Sequence, residues 1–234
     1  MNNAINAIKR KVNQYQEIKK QRGVTLLEII IVLGIVGIIA AGVIILANRA
    51  FTAQDISELV DNTNSVRVGT TEAYKDSAEY PATVDATPLT KANVSTLAND
   101  SIISALVKMG KISADEAFNG MSNDAFEIGG VKYATADSKM KGFYIVINGL
   151  DTEDCRNIAS QIGSQWDYVA SGVAAAGAAL GATGAPGQLS GDASDSILKT
   201  LTADNLNPAS IVKTGFCDNS TSAGSDNALI LGSK

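Results

Sequence analysis

Residues 23–47 read GVTLLEIIIVLGIVGIIAAGVIILA, an apolar stretch with one charge, Glu28, near its start. From Ile29 to Ala47 every residue is uncharged, and at helical rise this run is about 28 Å long, close to the thickness of a bilayer's hydrocarbon core. It reads as a membrane-spanning helix. The carboxylate is the anomaly, because an ionised side chain deep in such a span costs about 3 kcal/mol even on insertion scales.

What precedes the run sets its direction. Residues 1–23 hold Lys9, Arg10, Lys11, Lys19, Lys20 and Arg22 against the single acid Glu17, a net of +5 in a 234-residue chain whose total is −5, so residues 24–234 carry −10. Basic flanks stay on the cytoplasmic side, which places residues 1–23 in the cytoplasm and everything after Arg49 outside. A basic cluster confined to so short a stretch beside an apolar run is explained by topology, and no nucleic-acid partner is expected. The competing reading is a cleavable secretory signal, whose apolar region runs about 7–15 residues and ends in a small-x-small site. Ala40-Ala41-Gly42 offers small residues, but Val43-Ile44-Ile45-Leu46 carries the run onward. Cleavage is therefore expected before the apolar run.

Composition narrows the function classes. With 45% hydrophobic residues the chain has ample material for a core. It has no histidine, which removes the commonest general base and metal ligand. There is no G-x-S-x-G, Walker loop or G-x-G-x-x-G, so neither an enzyme nor a cofactor is expected; a carboxylate mechanism is the one class this leaves open. Both cysteines, Cys155 and Cys217, fall on the exported side. A disulfide is the default reading there, with two buried thiols as the alternative.

Lys19-Lys20-Gln21-Arg22-Gly23, then Val24-Thr25-Leu26-Leu27-Glu28, then an unbroken apolar helix resemble the type III signal of type IV prepilins. The resemblance implies that a dedicated prepilin peptidase/N-methyltransferase cuts between Gly23 and Val24 and methylates Val24, and that Glu28 serves filament assembly. A 23-residue leader and a first mature residue other than Phe look like the type IVb group. Residues 24–51 are especially similar to its toxin-coregulated, longus and colonization factor antigen III branch. The likeness is strongest to about Pro81 and continues in residues 106–120, residues 142–158 and the late Cys217.

The implied fold is α+β: a long N-terminal helix packed on an antiparallel β-sheet head, the αβ-roll, with a disulfide-bounded C-terminal region. The implied domains are a cleaved leader (1–23), a transmembrane and filament-core helix (24–50), its amphipathic second half (51–80) and a head (81–234) that includes the bounded region 155–217. The implied partners are further copies of the chain in a homopolymeric pilus, the peptidase and the pilus assembly machinery, with the inner membrane as the site before assembly and the cell exterior after it. The implied role is that of a major structural subunit for adhesion, bacterial self-aggregation and host colonisation. Two alternatives share the N-terminus: a type II secretion pseudopilin, and a single-pass anchored binding protein that never polymerises. The late cysteine pair and the length after Gly23 favour the major pilin.

Many type IVa pilins have a proline in the apolar helix; this run has none, and Gly34, Gly37 and Gly42 are its only soft points. They serve either close packing of neighbouring helices or local melting during assembly. Glu28 likewise has two readings. It accepts the α-amino group of Val24 on an incoming subunit, or it pairs with its own Val24 four residues back.

Beyond the membrane, Ile56, Leu59, Val60, Thr63, Val66, Thr70 and Tyr74 recur at helical spacing, while Asp55, Glu58, Asp61, Arg67 and Glu72 take the other faces. One helix is expected over about 25–75, ending before Pro81 and Pro88. A short helix is expected at 101–109, ending at Gly110, and a further turn capped by Ser113 through Phe118. Strands are expected at 125–130, 131–135, 142–147 and 227–233, and a helix from 150 carrying Cys155, Ile158 and Ile162 on one face. The Ala/Gly-rich residues 170–187 read as a surface loop or small-residue helix with no buried strand leading in, or as a filament contact surface between the cysteines. Asp218, Asn219, Ser220 and Asp226 carry calcium-type oxygens without EF-hand spacing and read as a solvated loop.

Overall fold

A computed structural model describes residues 25–180, 184–218 and 225–234. The leader, Gly23 and Val24 lie outside the described residues, as do Asn219 and Ser220 of the oxygen-rich loop. The chain divides into two compact units, Met1–Phe51 and Thr52–Lys234.

Helix α1, Leu26–Tyr74, belongs to both units. In the first unit every residue from Leu26 to Leu46 is exposed, so no described residue covers its leucines, isoleucines and valines. In the second unit the helix buries Ile56, Leu59, Asn62, Thr63, Val66, Gly69 and Thr70, a stripe at three- and four-residue spacing. Arg67, expected on the solvated side, is half-buried instead. Its guanidinium lies 4.9 Å from the centre of the Trp166 ring, and it donates to Gln165 O at 2.7 Å and Ser233 Oγ at 3.1 Å. The long apolar stem and planar head of arginine let it cover the indole while reaching carbonyl and hydroxyl oxygens.

The head follows Pro81. Helix α2, Ile102–Lys108, starts on Ser101, whose hydroxyl accepts from Ser104 N, and ends at Gly110 with φ of +67°, a left-handed conformation glycine adopts without Cβ strain. Ser113 and Glu116 do bond reciprocally, Ser113 N to Glu116 Oε2 at 2.8 Å and Glu116 N to Ser113 Oγ at 3.3 Å. They close the turn expected from Ser113, and Phe118 at its end pairs in an antiparallel bridge with Ala125.

Among the described residues one sheet is formed, in the order β1-β2-β5-β3-β4, antiparallel throughout. The strands are β1 (Glu127–Val131), β2 (Gly142–Leu150), β3 (Tyr168–Val173), β4 (Ile197–Lys199) and β5 (Asn227–Ser233). Both central strands, β2 and β5, are buried nearly end to end. One sheet face packs on α1, α2 and helix α3 (Thr152–Ile162) through Phe143, Ile145, Val169, Leu229 and Leu231. The other packs Tyr144, Val146, Ala170 and Ile230 against Leu180 of the Ala/Gly-rich region and Leu189 just after it. With both faces covered, the strands read as continuous apolar runs and not as an alternation.

Two expectations are corrected. The two strands expected at 125–130 and 131–135 are one, and Lys132 leaves it to bridge Gln188. A buried strand, β3, does lead into the Ala/Gly stretch and takes its first residues; Gly172 and Ala170 are small because Leu180 and Ile230 lie against them. The three-residue strand β4 and helix α4 (Pro208–Ile211) were not expected at all. Gly130 on β1 shows the same logic: a Cβ there would stand 2.7 Å from Tyr80 O, so only glycine lets the connection from α1 cross the strand.

Candidate functional site

The N-terminal helix opens on Thr25. Its hydroxyl accepts from Glu28 N at 3.2 Å and its carbonyl from Ile29 N at 3.2 Å, which makes it the N-cap. Thr25-Leu26-Leu27-Glu28 is thus half of a capping box, a signal legible in the sequence as Thr-x-x-Glu and missed there. Glu28 falls in the first turn, where the helix dipole favours a negative charge. Its side chain is exposed, and among the described residues it makes no ion pair; the first cation after it along the chain is Arg49. At Gly34, Gly37 and Gly42 a Cβ would meet nothing within 4 Å. Each glycine costs about 1 kcal/mol relative to alanine in a helix interior, and nothing among the described residues requires any of them.

The cysteines meet. Cys155 on the first turn of α3 is bonded to Cys217, and both are fully buried. Asp151 starts α3 by accepting from Asp154 N at 2.7 Å. Beside the bridge, Arg156 donates to Phe216 O at 3.3 Å and Lys213 O at 3.4 Å, which holds the turn that delivers Cys217. The bounded region contributes β3 and β4 to the sheet, so much of it is core.

A polar network holds the Ala/Gly segment to the sheet. Asn148 donates to Asp124 Oδ2 at 2.7 Å, Ala178 O at 3.0 Å and Ala175 O at 3.2 Å. Asp124 Oδ2 also accepts from Gly177 N at 2.7 Å, and Glu127 Oε2 from Leu180 N at 2.8 Å. None of these three side chains was singled out from the sequence; nothing in their spacing marks residues that converge only when β1 pairs with β2.

Burial pushes the Glu127 carboxyl up; the Leu180 N–H opposes this and the charge of Asp85 adds to it. The folded head therefore keeps that proton to higher pH than the unfolded chain does. Stability falls as pH rises between the two pKa values and stays lower above the folded one. Glu127→Gln keeps the shape and an acceptor for Leu180. It is expected to raise the thermal midpoint at about pH 7, with the gain vanishing below the ordinary glutamate value of about 4.3. Thermal melts of both proteins at about pH 4 and about pH 7 check this.

Comparison with known proteins fits these features. Residues 18–44 match the family described as the prokaryotic N-terminal methylation motif. The toxin coregulated pilin of Vibrio cholerae is 38% identical over 167 residues, which cover 69% of this chain and 68% of that protein. The same pilin from Vibrio cholerae serotype O1 is 37% identical over 163 residues, covering 69% and 67%. The crystal structure of TcpA, a type IV pilin from the El Tor biotype of Vibrio cholerae, superposes with a TM-score of 0.58 at 24% identity, over 77% of this chain and 99% of that one. By sequence likeness over two thirds of both chains, with the fold in agreement, this protein belongs to the toxin-coregulated pilin family of type IVb pilins and is a pilus subunit.

Proposed function

We propose that the chain is made as an inner-membrane precursor with residues 1–23 in the cytoplasm and its head outside. A prepilin peptidase cuts between Gly23 and Val24 and methylates Val24. The pilus assembly machinery then adds the subunit to a homopolymer in which helix α1 exchanges lipid for the helices of neighbouring copies, and the heads form the surface. The observation that carries this reading is the exposure of every residue from Leu26 to Leu46 in the single subunit. A helix so apolar is held by lipid before assembly and by copies of itself afterwards.

Glu28 then has a partner. In a filament core without lysine or arginine nearby, the free amine of Val24 on an adjoining subunit supplies the cation. The filament presents its heads in many copies, so weak contacts add to high avidity, which suits adhesion, self-aggregation and colonisation. The subunit acts as a structural element and performs no catalysis of its own.

Processing tests the first step. Gly23→Arg places a large charged side chain at the proposed junction, and the precursor is expected to keep its 23-residue leader in cells that process the wild-type chain fully. Intact-mass measurement of the membrane fraction reads this directly, and normal shortening of the variant would move the cleavage site elsewhere.

A further inference from the structure

Glu127, besides helping to hold the Ala/Gly segment to the sheet, has no counter-charge among the described residues. Glu127 is 8% exposed, and one carboxylate oxygen accepts the Leu180 N–H at 2.8 Å. Among the described residues no lysine or arginine forms an ion pair with it. A buried carboxylate in that position is costly unless it is protonated or a cation arrives from outside.

The carboxylate lines a cavity of about 460 Å³ together with Asp85, Thr83, Tyr144, Met140 and Ala82. Register explains the meeting. Glu127 stands opposite Val146 and Gly129 opposite Tyr144, so Glu127 and Tyr144 share one sheet face two positions apart. The connection after α1 brings Thr83, whose hydroxyl hydrogen-bonds the Tyr144 phenol, and Asp85. Among the described residues Asp85 forms no ion pair either, and its carboxylate accepts the Thr87 N–H at 2.8 Å. The result is a space with two acids, two hydroxyls, a thioether and a methyl wall.

This donor set selects its occupant. Two carboxylates exclude phosphates and other acids. A divalent metal is poorly served, since among the described residues no group of three acidic, histidine or cysteine ligands converges. An ammonium group has one charge to set against the carboxylates and three N–H donors for carboxylate and hydroxyl oxygens, and an aliphatic stem attached to it packs on Met140 and Ala82. We propose that this cavity binds an aliphatic primary ammonium group, carried either by a lysine side chain of another polypeptide or by a free alkylamine.

The test uses the full chain in detergent micelles with methionine methyl groups labelled with ¹³C. Met140 lines the cavity, whereas Met121 packs on the opposite core and serves as the folding control. On titration with n-butylammonium chloride the Met140 resonance is expected to shift saturably while Met121 stays in place. Equal concentrations of n-butanol and of potassium chloride are expected to leave Met140 unmoved. In Glu127→Gln, with Met121 unchanged, the apparent affinity is expected to fall about tenfold or more, the cost of losing one charge-assisted contact; Asp85→Asn is expected to weaken it as well. N-acetyl-lysine-N-methylamide binding at least as tightly as n-butylammonium identifies a peptide-borne lysine, and the reverse order a free amine. No shift of Met140, an equal response to n-butanol, or an undiminished response in Glu127→Gln would overturn the proposal.

Discussion

Glu28→Gln is expected to leave membrane insertion, leader removal and head folding intact and to reduce filament yield at least thirtyfold. Glutamine keeps the side chain's length and volume and leaves the Thr25 cap on the backbone N–H of residue 28 in place, so what changes is the charge. On the proposed pairing, the variant leaves the Val24 ammonium of each incoming subunit without a counter-charge in an apolar core. An unpaired charge there costs about 2–3 kcal/mol per contact, which is thirtyfold or more in each addition step. If Glu28 paired instead with its own Val24, the loss would fall on the precursor and the filament alike, and addition would proceed nearly as before. Electron microscopy of sheared surface material, normalised to processed subunit in the membrane, measures the effect. Undiminished assembly would remove the pairing between subunits from the account.

The second large effect concerns the head. Replacing Cys155 or Cys217 by serine is expected to cost about 4 kcal/mol, the chain-entropy value for a loop of about 60 residues. The position of the bridge argues for the upper part of the usual range. Both sulfurs are fully buried, and the loop they close contains β3, which pairs with the central strand β5, and β4 at its edge. Opening it frees two of the described strands and the Arg156 contacts to Lys213 and Phe216. Denaturant titration of the wild-type and serine variants, with and without reductant, checks this. The wild-type midpoint is expected to fall on reduction to that of the variant, whose own midpoint reductant leaves unchanged.

The parts of the fold visible in the sequence are those governed by one local rule. Helix α1 was legible because an apolar run passes without a breaker into a three- and four-residue stripe, and β2 and β5 because β-branched and aromatic residues cluster between turn signals. The helices expected at 101–109 and from 150 are present, and Ser101, Gly110 and Asp151 close their ends in the structure. What stayed hidden depends on distant partners. Ala170, Ser171 and Gly172 have weak strand propensity and become strand because β5 offers a ladder and Leu180 leaves no room for larger side chains. Arg67 looked like one charge among several on a helix surface until Trp166 and Ser233 came within reach. Glu127 was not singled out within the strand expected at 125–130, and its burial follows from the covering of that sheet face by the Ala/Gly segment.

At the candidate site the balance differs. The cysteine pair named from the sequence is bonded in the structure, since two cysteines allow one pairing; Glu28 was named through the family resemblance, and Gly23 and Val24, named the same way, lie outside the described residues. Thr25 was overlooked although its Thr-x-x-Glu spacing was in plain view.

The account stands on the claim that Val24 begins a subunit that polymerises through helix α1. Mass spectrometry of the N-terminal peptide from filaments sheared off the cell surface and imaged by electron microscopy tests it most directly. The predicted result is filaments whose subunit starts at N-methylated Val24. A subunit that keeps residues 1–23 and stays wholly in the membrane fraction, or one that starts beyond the apolar run, would contradict it.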